Sequence, residues 1–219
     1  MTTSLIARRM SATEQLRAEK KLLRLVLLIT GLIGYGASLA FQLRCLLGNS
    51  SWSVLAEGIS LRTGLSFGWV TNLIGLAVLL LWIPLRELPG LGTVLNVLLI
   101  GFSADLVLTV LPEPETIFLQ IGYLTLGILM ITFFGAVYLG ARFGSGPRDG
   151  LMTGAVRLTG LPVWLVRTVI ELTVLATGWL LGGTAGVGTV IIAFTMGPLT
   201  QFFLRYVTVR LAADGVRTA

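Results

Sequence analysis

Residues 144–160 read GSGPRDGLMTGAVRLTG, and this stretch interrupts a chain that is otherwise mostly apolar. It holds five glycines, two arginines and one aspartate between two long apolar runs. Because proline suits the first turn of a helix, Pro147 predicts a helix start, with Arg148 and Asp149 just inside it. The stretch is too short for a helix that crosses about 30 Å of hydrocarbon. We therefore expect a short, charged helix between membrane-spanning ones.

The composition around this stretch is that of an integral membrane protein. Of the 219 residues, 55% are hydrophobic and 12% are charged, whereas soluble domains carry about 25% charged residues. The mean hydropathy is +0.91. Apolar runs of about 20 residues have the length of a membrane-spanning helix. Six spans are predicted, at residues 22–43, 66–85, 91–111, 116–141, 161–181 and 187–206.

The charge balance and the rare residue types exclude several classes of protein. The net charge is +6, and we interpret the basic residues as anchors that set membrane topology rather than as a nucleic-acid surface. Cys45 is the single cysteine and histidine is absent, which argues against an internal disulfide, a structural zinc site and histidine-based catalysis. No nucleotide-binding or nucleophile-elbow motif occurs. We expect neither an enzyme nor a protein with a metal or cofactor.

An internal repeat appears when the chain is compared with itself at a shift of 96 residues. The sequence Thr-Gly-Leu at 63–65 falls on the same sequence at 159–161, and Gly-x-Gly-Thr-Val at 90–94 falls on 186–190. Each copy then contains three spans and one short segment. An odd number of spans inverts the second copy in the membrane, as in many secondary transporters.

The predicted fold is therefore an all-α, polytopic membrane helical bundle. It has six transmembrane helices plus two short re-entrant or interfacial helices, arranged as two inverted repeats. Its parts are a basic cytoplasmic segment (1–21), membrane repeat 1 (22–111), an acidic extracytoplasmic loop (112–115), membrane repeat 2 (116–208) and a cytoplasmic tail (209–219). The positive-inside rule supports this orientation, although Arg44 and Arg62 fall outside. The alternative is eight spans, with both short segments crossing; it places Arg86, Arg142 and Arg148 outside.

The second half of the chain carries a resemblance to a known family. The matching pieces are GSGPRDGLM at 144–152, Arg167, Glu171, LLGGTAGVGT at 180–189 and the Gly-Pro pair at 197–198. In these the chain resembles the YczE/YyaS/YitT family of bacterial integral membrane proteins. The resemblance implies a multi-pass protein of the bacterial plasma membrane and supplies no substrate. In the first half, Trp and Ser at 52–53 replace the Arg-Asp pair, so any site is asymmetric.

Arg167 and Glu171 are four residues apart and share one helix face near the middle of a predicted span. A charge at that depth costs at least about 2.5–3.5 kcal/mol on insertion, and such residues usually face a cavity or a partner. One interpretation is a substrate- or proton-coupling carboxylate with its counter-ion. The other is an internal ion pair that holds the bundle together. The partner of Arg167 stays open among Glu171, Asp149 and an anionic ligand.

Arg148 and Asp149 follow a glycine-rich turn at the predicted helix start. Free backbone N–H groups and the positive helix dipole favour an anion there, and the planar fork of Arg148 suits a carboxylate or phosphate. The alternative is that Asp149 only caps the helix while Arg148 anchors it at the lipid headgroups.

Other polar residues lie inside the predicted spans. Asp105 is a further candidate for substrate binding, and Gln201 occupies its equivalent position in the second repeat. Asn72 and Asn96 are expected to make hydrogen bonds between helices. Tryptophans near the span ends suit an aromatic belt at the membrane interfaces: Trp52, Trp82, Trp164 and Trp179.

The leading hypothesis is a small transporter or permease for an unidentified solute, with an anion as one option. Its candidate substrate-binding residues are Arg148, Asp149, Arg167, Glu171 and Asp105, with Arg167 and Glu171 as the midplane pair and the turn at 144–149 as the ligand-facing helix end. The competing hypothesis is a non-transporting accessory protein that binds or stabilises a membrane partner. The expected partners are the lipid bilayer and the solute, with no nucleic acid and with homodimerisation as an option.

Overall fold

The computed structural model describes residues 19–209, and within that range the chain forms eight α-helices and no strand. They are α1 (Lys21–Arg44), α2 (Ser51–Thr63), α3 (Phe67–Leu85), α4 (Leu91–Val110), α5 (Ile117–Gly140), α6 (Pro147–Thr159), α7 (Val163–Leu180) and α8 (Val187–Val207). The all-α prediction is confirmed. Apart from their inner ends, the predicted basic segment 1–21 and the tail 209–219 lie outside the described residues.

Six of these helices have the length and apolar character of membrane spans: α1, α3, α4, α5, α7 and α8. The helices α2 and α6 have 13 residues each, or about 20 Å at 1.5 Å per residue, which is less than the hydrocarbon thickness. The chain is therefore a polytopic membrane helical bundle, and the lengths favour six spans over eight.

The sixth span is one continuous helix although it contains a proline. Helix α8 continues from Val187 to Val207 with Pro198 inside it. Proline removes one backbone hydrogen bond, but membrane helices tolerate this loss through local adjustment and neighbouring polar groups. The Gly-Pro pair therefore marks a weakened point in a continuous helix.

The two halves of the chain, α1–α4 and α5–α8, have the same order of helices. Each helix of the second half begins 96 residues after its counterpart in the first. The loops correspond too, because the same positions adopt positive φ: Gly48 and Gly144, Gly64 and Gly160, and Leu46 and Arg142. The inverted relation of the halves stays a prediction.

The centre of the bundle is the contact between α1 and α5, against which α4 and α8 pack respectively. Equivalent glycines permit this close approach. A Cβ atom on Gly31 would lie 2.7 Å from the Tyr138 nitrogen, and one on Gly127 would lie 2.9 Å from Cγ of Gln42. The halves are thus joined through their first helices.

Each half also makes hydrogen bonds to the loop that precedes the short helix of the other half. The Gly92 amide donates a hydrogen bond to the Phe143 carbonyl (2.9 Å), and the equivalent Gly188 amide donates to the Leu47 carbonyl (2.8 Å). Correspondingly, α6 packs on α3 and α2 packs on α7. The Glu57 carboxylate of α2 accepts hydrogen bonds from the backbone amide and the hydroxyl of Thr184, both at 2.8 Å.

The last two helices of each half pack differently. Helices α3 and α4 touch closely, and a Cβ atom on Gly101 would lie 2.1 Å from the Gly68 carbonyl oxygen. Helices α7 and α8 make no comparable contact, and a Cβ atom on Gly197, the counterpart of Gly101, would have no neighbour within 4 Å. In α7 only Val166 and Gly178 are buried. The gap between α7 and α8 is therefore the main departure from symmetry.

Candidate functional site

The start of α6 is held rigidly by the first repeat. Gly144 adopts φ +112°, which brings the chain into the turn that precedes the helix. The hydroxyl of Thr93, from the Gly-x-Gly-Thr motif, donates a hydrogen bond to the Ser145 carbonyl at 2.7 Å. The indole N–H of Trp82 donates to the Pro147 carbonyl at 2.9 Å. These hydrogen bonds hold the backbone from which Arg148 and Asp149 extend.

Arg148 lies against an aromatic ring from the other half. Its Cζ atom is 4.9 Å from the centroid of the Trp52 ring, a cation–π arrangement, and Trp52 is only 6% exposed. Trp82 is 3% exposed. The belt prediction was therefore wrong for these two tryptophans, because contacts between the halves bury them.

Asp149 is the third residue of α6 and lies beside the turn at Gly146. A Cβ atom on Gly146 would be 3.1 Å from the Tyr138 hydroxyl, 3.5 Å from the Asn96 amide nitrogen and 3.6 Å from Oδ2 of Asp149. These polar groups thus converge on one point. The Asp149 side chain is exposed to a space inside the molecule, and protein surrounds that space on all sides of the residue. This burial raises the pKa of its carboxyl, against the opposing effects of the Gly146 backbone hydrogen bond, Arg148 and Arg167.

Arg167 and Glu171 complete the group from α7. All four charged residues line one cavity of about 670 Å³, to which residues of every helix contribute. We call this space the site cavity, and the four residues Arg148, Asp149, Arg167 and Glu171 the charge cluster. Small-molecule sites typically have volumes of about 300–1,000 Å³ and mostly apolar walls with a few polar groups.

No member of the charge cluster makes an ion pair within 4.0 Å with any residue in the described part of the chain. Arg167 therefore pairs directly with neither Glu171 nor Asp149. The charge of Arg167 still lowers the pKa of the Asp149 carboxyl, and its side chain lines the cavity.

Asp105, the fifth predicted site residue, lies elsewhere. Its carboxylate accepts hydrogen bonds from the Ser66 hydroxyl and from the Gly68 backbone amide (2.7 Å) at the start of α3. It joins α4 to α3 and does not line the site cavity, whereas Gln201, its counterpart, does. The structure thus brings together four of the five predicted residues and gives Asp105 a structural position.

Several residues of the cavity wall were not predicted. Tyr35 and Tyr138 line it with their rings in an edge-to-face arrangement, with centroids 5.9 Å apart. Asn96 lines it as well. The interhelical role expected of Asn72 is confirmed, because its side chain donates to the Leu98 carbonyl and accepts from the Gly101 amide. The sequence offered one signal that Asn96 could line a site, namely that it is a polar residue within an apolar run.

Among residues 19–209, no group of three or more His, Cys, Asp or Glu side chains is arranged to hold a metal ion. The chemistry available in the site cavity is recognition of charge by two guanidinium and two carboxylate groups, supported by hydroxyl and amide groups.

Comparison with known proteins identifies the family. A family model described as a family of unknown function, DUF6198, matches residues 22–205. The chain belongs to this family. Family relatives include an uncharacterized protein of Haemophilus influenzae, 36% identical over 197 residues, which cover 90% of this chain and 89% of the relative.

Two relatives come from Bacillus subtilis. The uncharacterized membrane protein YczE is 34% identical over 189 residues, covering 85% of this chain and 87% of YczE. The uncharacterized protein YyaS is 28% identical over 179 residues, covering 79% and 87%. The resemblance to YczE and YyaS is confirmed, and the relatives support a multi-pass membrane protein. No solved structure matches the chain.

Proposed function

We propose that this chain is a small secondary transporter or permease whose solute binds in the site cavity. The observation that carries the proposal is the charge cluster, whose four members face one cavity without an ion pair to any described residue. Charged residues inside membrane proteins are costly and usually mark a substrate or ion pathway.

The position of the site cavity supports the same proposal. It lies between two halves of similar structure, and secondary transporters built from repeats place their sites at that junction. One wall is the start of a short helix, where backbone N–H groups and the helix dipole favour an anionic group. Fold alone does not determine function, so the argument depends on the charge cluster.

The test is a thermal-shift screen of a metabolite library on the purified protein, because a ligand that binds only the folded state raises its apparent stability. Arg148→Ala and Glu171→Gln are screened beside it. Matched controls are Arg205→Ala and Glu115→Gln, which alter exposed residues away from the site cavity. Compounds that stabilise the parent and both controls, but neither site variant, are then tested for uptake into proteoliposomes. Absence of any such compound, or of uptake, contradicts the proposal.

The second candidate function is a non-transporting accessory protein. The exposure of α7 favours it, because only Val166 and Gly178 of that helix are buried, and a partner in the membrane, including a second copy of the chain, could pack on its exposed side chains. In that case Glu171→Gln would leave the partner bound while no solute binds. Pull-down of the parent and of the Glu171→Gln variant from the same membranes separates the two functions.

The proposed location is the bacterial plasma membrane, with both termini in the cytoplasm. This orientation follows from the basic residues at both ends of the chain and the acidic loop at 112–115. Reporter fusions after residue 113 and at the C-terminus test it. An active cytoplasmic reporter at residue 113 would contradict the orientation.

A further inference from the structure

We propose that the ligand of the site cavity is a small zwitterion, with one anionic and one cationic group on a largely apolar body. This inference rests on the function proposed above and specifies its substrate class.

The charge balance is even. The described residues that line the site cavity include four charged side chains, the cations Arg148 and Arg167 and the anions Asp149 and Glu171. A simple anion would leave two carboxylates facing it, and a simple cation would leave two guanidinium groups facing it. A ligand with both charges compensates both signs at once, and Coulomb attraction is stronger in a cavity partly withdrawn from water.

The charges are held apart by separate contacts. The Cζ atom of Arg148 lies 4.9 Å from the centroid of the Trp52 ring, and its guanidinium makes no ion pair to any described residue. Asp149 lies instead beside Gly146, with the Tyr138 hydroxyl and the Asn96 amide close by. Although the two residues are neighbours in sequence, they do not neutralise each other within ion-pair distance.

Helix α7 offers a second cation and a second anion one turn apart. Arg167 and Glu171 share a helix face but make no ion pair within 4.0 Å with any residue from 19 to 209. The start of α6 and the middle of α7 thus each present one positive and one negative side chain to the site cavity. This arrangement suits a ligand whose two charged groups lie a few bonds apart.

The remaining walls are mainly aliphatic. Val78 from α3, Val97 and Ile100 from α4, and Leu172 and Leu175 from α7 line the site cavity. At about 670 Å³ the cavity has room for an apolar body beside the charged groups. Two sources share this chemistry: a soluble zwitterion such as an amino acid or betaine, and the headgroup of a zwitterionic phospholipid that enters between α7 and α8.

The test measures thermal shifts and then binding affinities for a charge-matched panel on the purified full chain. The panel contains the amino acids, glycine betaine, phosphocholine and phosphoethanolamine. Each amino acid is accompanied by the acid that lacks its amine and the amine that lacks its carboxylate. A short-chain phosphatidylcholine below its micellar concentration represents the lipid source. We expect a zwitterion to bind at least about tenfold more tightly than either of its singly charged analogues.

A cross between variants and analogues distinguishes direct recognition from damage to the fold. Arg148→Ala should weaken binding of the zwitterion and of the carboxylate analogue, but not of the amine analogue. Asp149→Asn and Glu171→Gln should weaken binding of the zwitterion and of the amine analogue, but not of the carboxylate analogue. When a substitution weakens binding only of ligands that carry one charged group, the side chain and that group interact directly. Equal loss for all analogues would overturn the assignment.

The outcomes separate the two proposals. If the tightest ligands carry a single charge or none and still depend on the charge cluster, the zwitterion is wrong while the site and its proposed function stand. If no panel or library compound binds, both are wrong. If the phosphatidylcholine binds and phosphocholine does not, the zwitterion comes from the lipid. If soluble zwitterions bind, the source is a solute.

Discussion

Arg148 lies over the ring of Trp52, and these two residues occupy equivalent positions in the two halves of the chain. The contact therefore joins the repeats at a point where their sequences have diverged. One half supplies a cation and the other supplies the ring that positions it. This divergence turns a near-symmetric fold into a one-sided site.

Replacing the Trp52 ring should weaken binding more than it disturbs the fold. Trp52→Phe keeps an aromatic face but a poorer one, so we expect a loss of about 1 kcal/mol in binding, or roughly fivefold in affinity. Isothermal titration with the best ligand from the screen measures it. Trp164→Phe, at a tryptophan that is 67% exposed, is the control and should bind like the parent. Unchanged affinity in Trp52→Phe would show that the ring does not position Arg148 for binding.

Gly150 should be intolerant of any side chain. A Cβ atom there would lie 1.9 Å from Cζ2 of Trp82, so Gly150→Ala must displace the Trp82 ring or shift α6 away from α3. Overpacking of this kind typically costs about 1–3 kcal/mol, which a thermal unfolding curve detects. Gly122→Ala is the matched control, because a Cβ atom on Gly122 has no neighbour within 4 Å. Equal melting temperatures for both variants would contradict the packing described here.

Asp105 should matter for stability and not for binding. Asp105→Ala removes the acceptor for the Ser66 hydroxyl and the Gly68 amide, which should cost about 1–3 kcal/mol of unfolding free energy. Ligand affinity, measured below the melting temperature, should stay within about twofold of the parent. Glu115→Ala, at an exposed carboxylate, controls for loss of charge alone. A selective loss of affinity in Asp105→Ala would show that Asp105 contributes to ligand binding.

The ionisation of Asp149 should make stability depend on pH. Burial raises its pKa in the folded state, so the folded protein binds this proton more tightly than the unfolded chain does. The free energy of unfolding therefore loses the Asp149 contribution as pH rises from the ordinary carboxyl pKa of the unfolded chain through the raised pKa of the folded protein. We expect Asp149→Asn to be more stable than the parent above that interval and to lose this advantage below it. Melting temperatures measured across pH check this, with Glu115→Gln as control.

If the proposed transporter works by alternating access at the gap between α7 and α8, these helices should approach one another, and introduced cysteines test this. Cys45 is buried and is the single cysteine, so a Cys45→Ala background gives a clean starting point. Thr168→Cys with Gly197→Cys should form a disulfide only when the helices approach to within about 7 Å between Cα atoms. We expect the cross-link to form on mild oxidation, at a rate that ligand changes, and to stop uptake.

A pair in the first half, where the helices already touch, is the control for that experiment. A Cβ atom on Gly75 would lie 3.7 Å from Cβ of Val97, which is the usual separation in a disulfide, so Gly75→Cys with Val97→Cys should cross-link with or without ligand. If the control pair reacts and the α7–α8 pair never does, the gap between α7 and α8 is permanent.

Much of this architecture could be predicted from sequence because its signals are local. Apolar runs of spanning length located six helices, and the Gly-x-Gly-Thr match located equivalent loops. Arg167 and Glu171 stood out because charge is rare in such runs. The roles of Trp52, Trp82 and Tyr138 could not be predicted, since they depend on which helices cross between the halves. The contacts of Asp105 could not be predicted for a related reason, since its partners lie 37 and 39 residues away, at the start of α3.

The exchange of loops between the halves has a consequence for biosynthesis. While the ribosome is still making the second half, α3 has no α6 to cover it and α2 has no α7, and the Leu47 carbonyl lacks its Gly188 donor. The first half therefore enters the membrane before its packing partners exist, and final assembly waits for the chain to be completed. Two fragments divided at the 112–115 loop should each be degraded when expressed alone, and should rescue one another when they are expressed together.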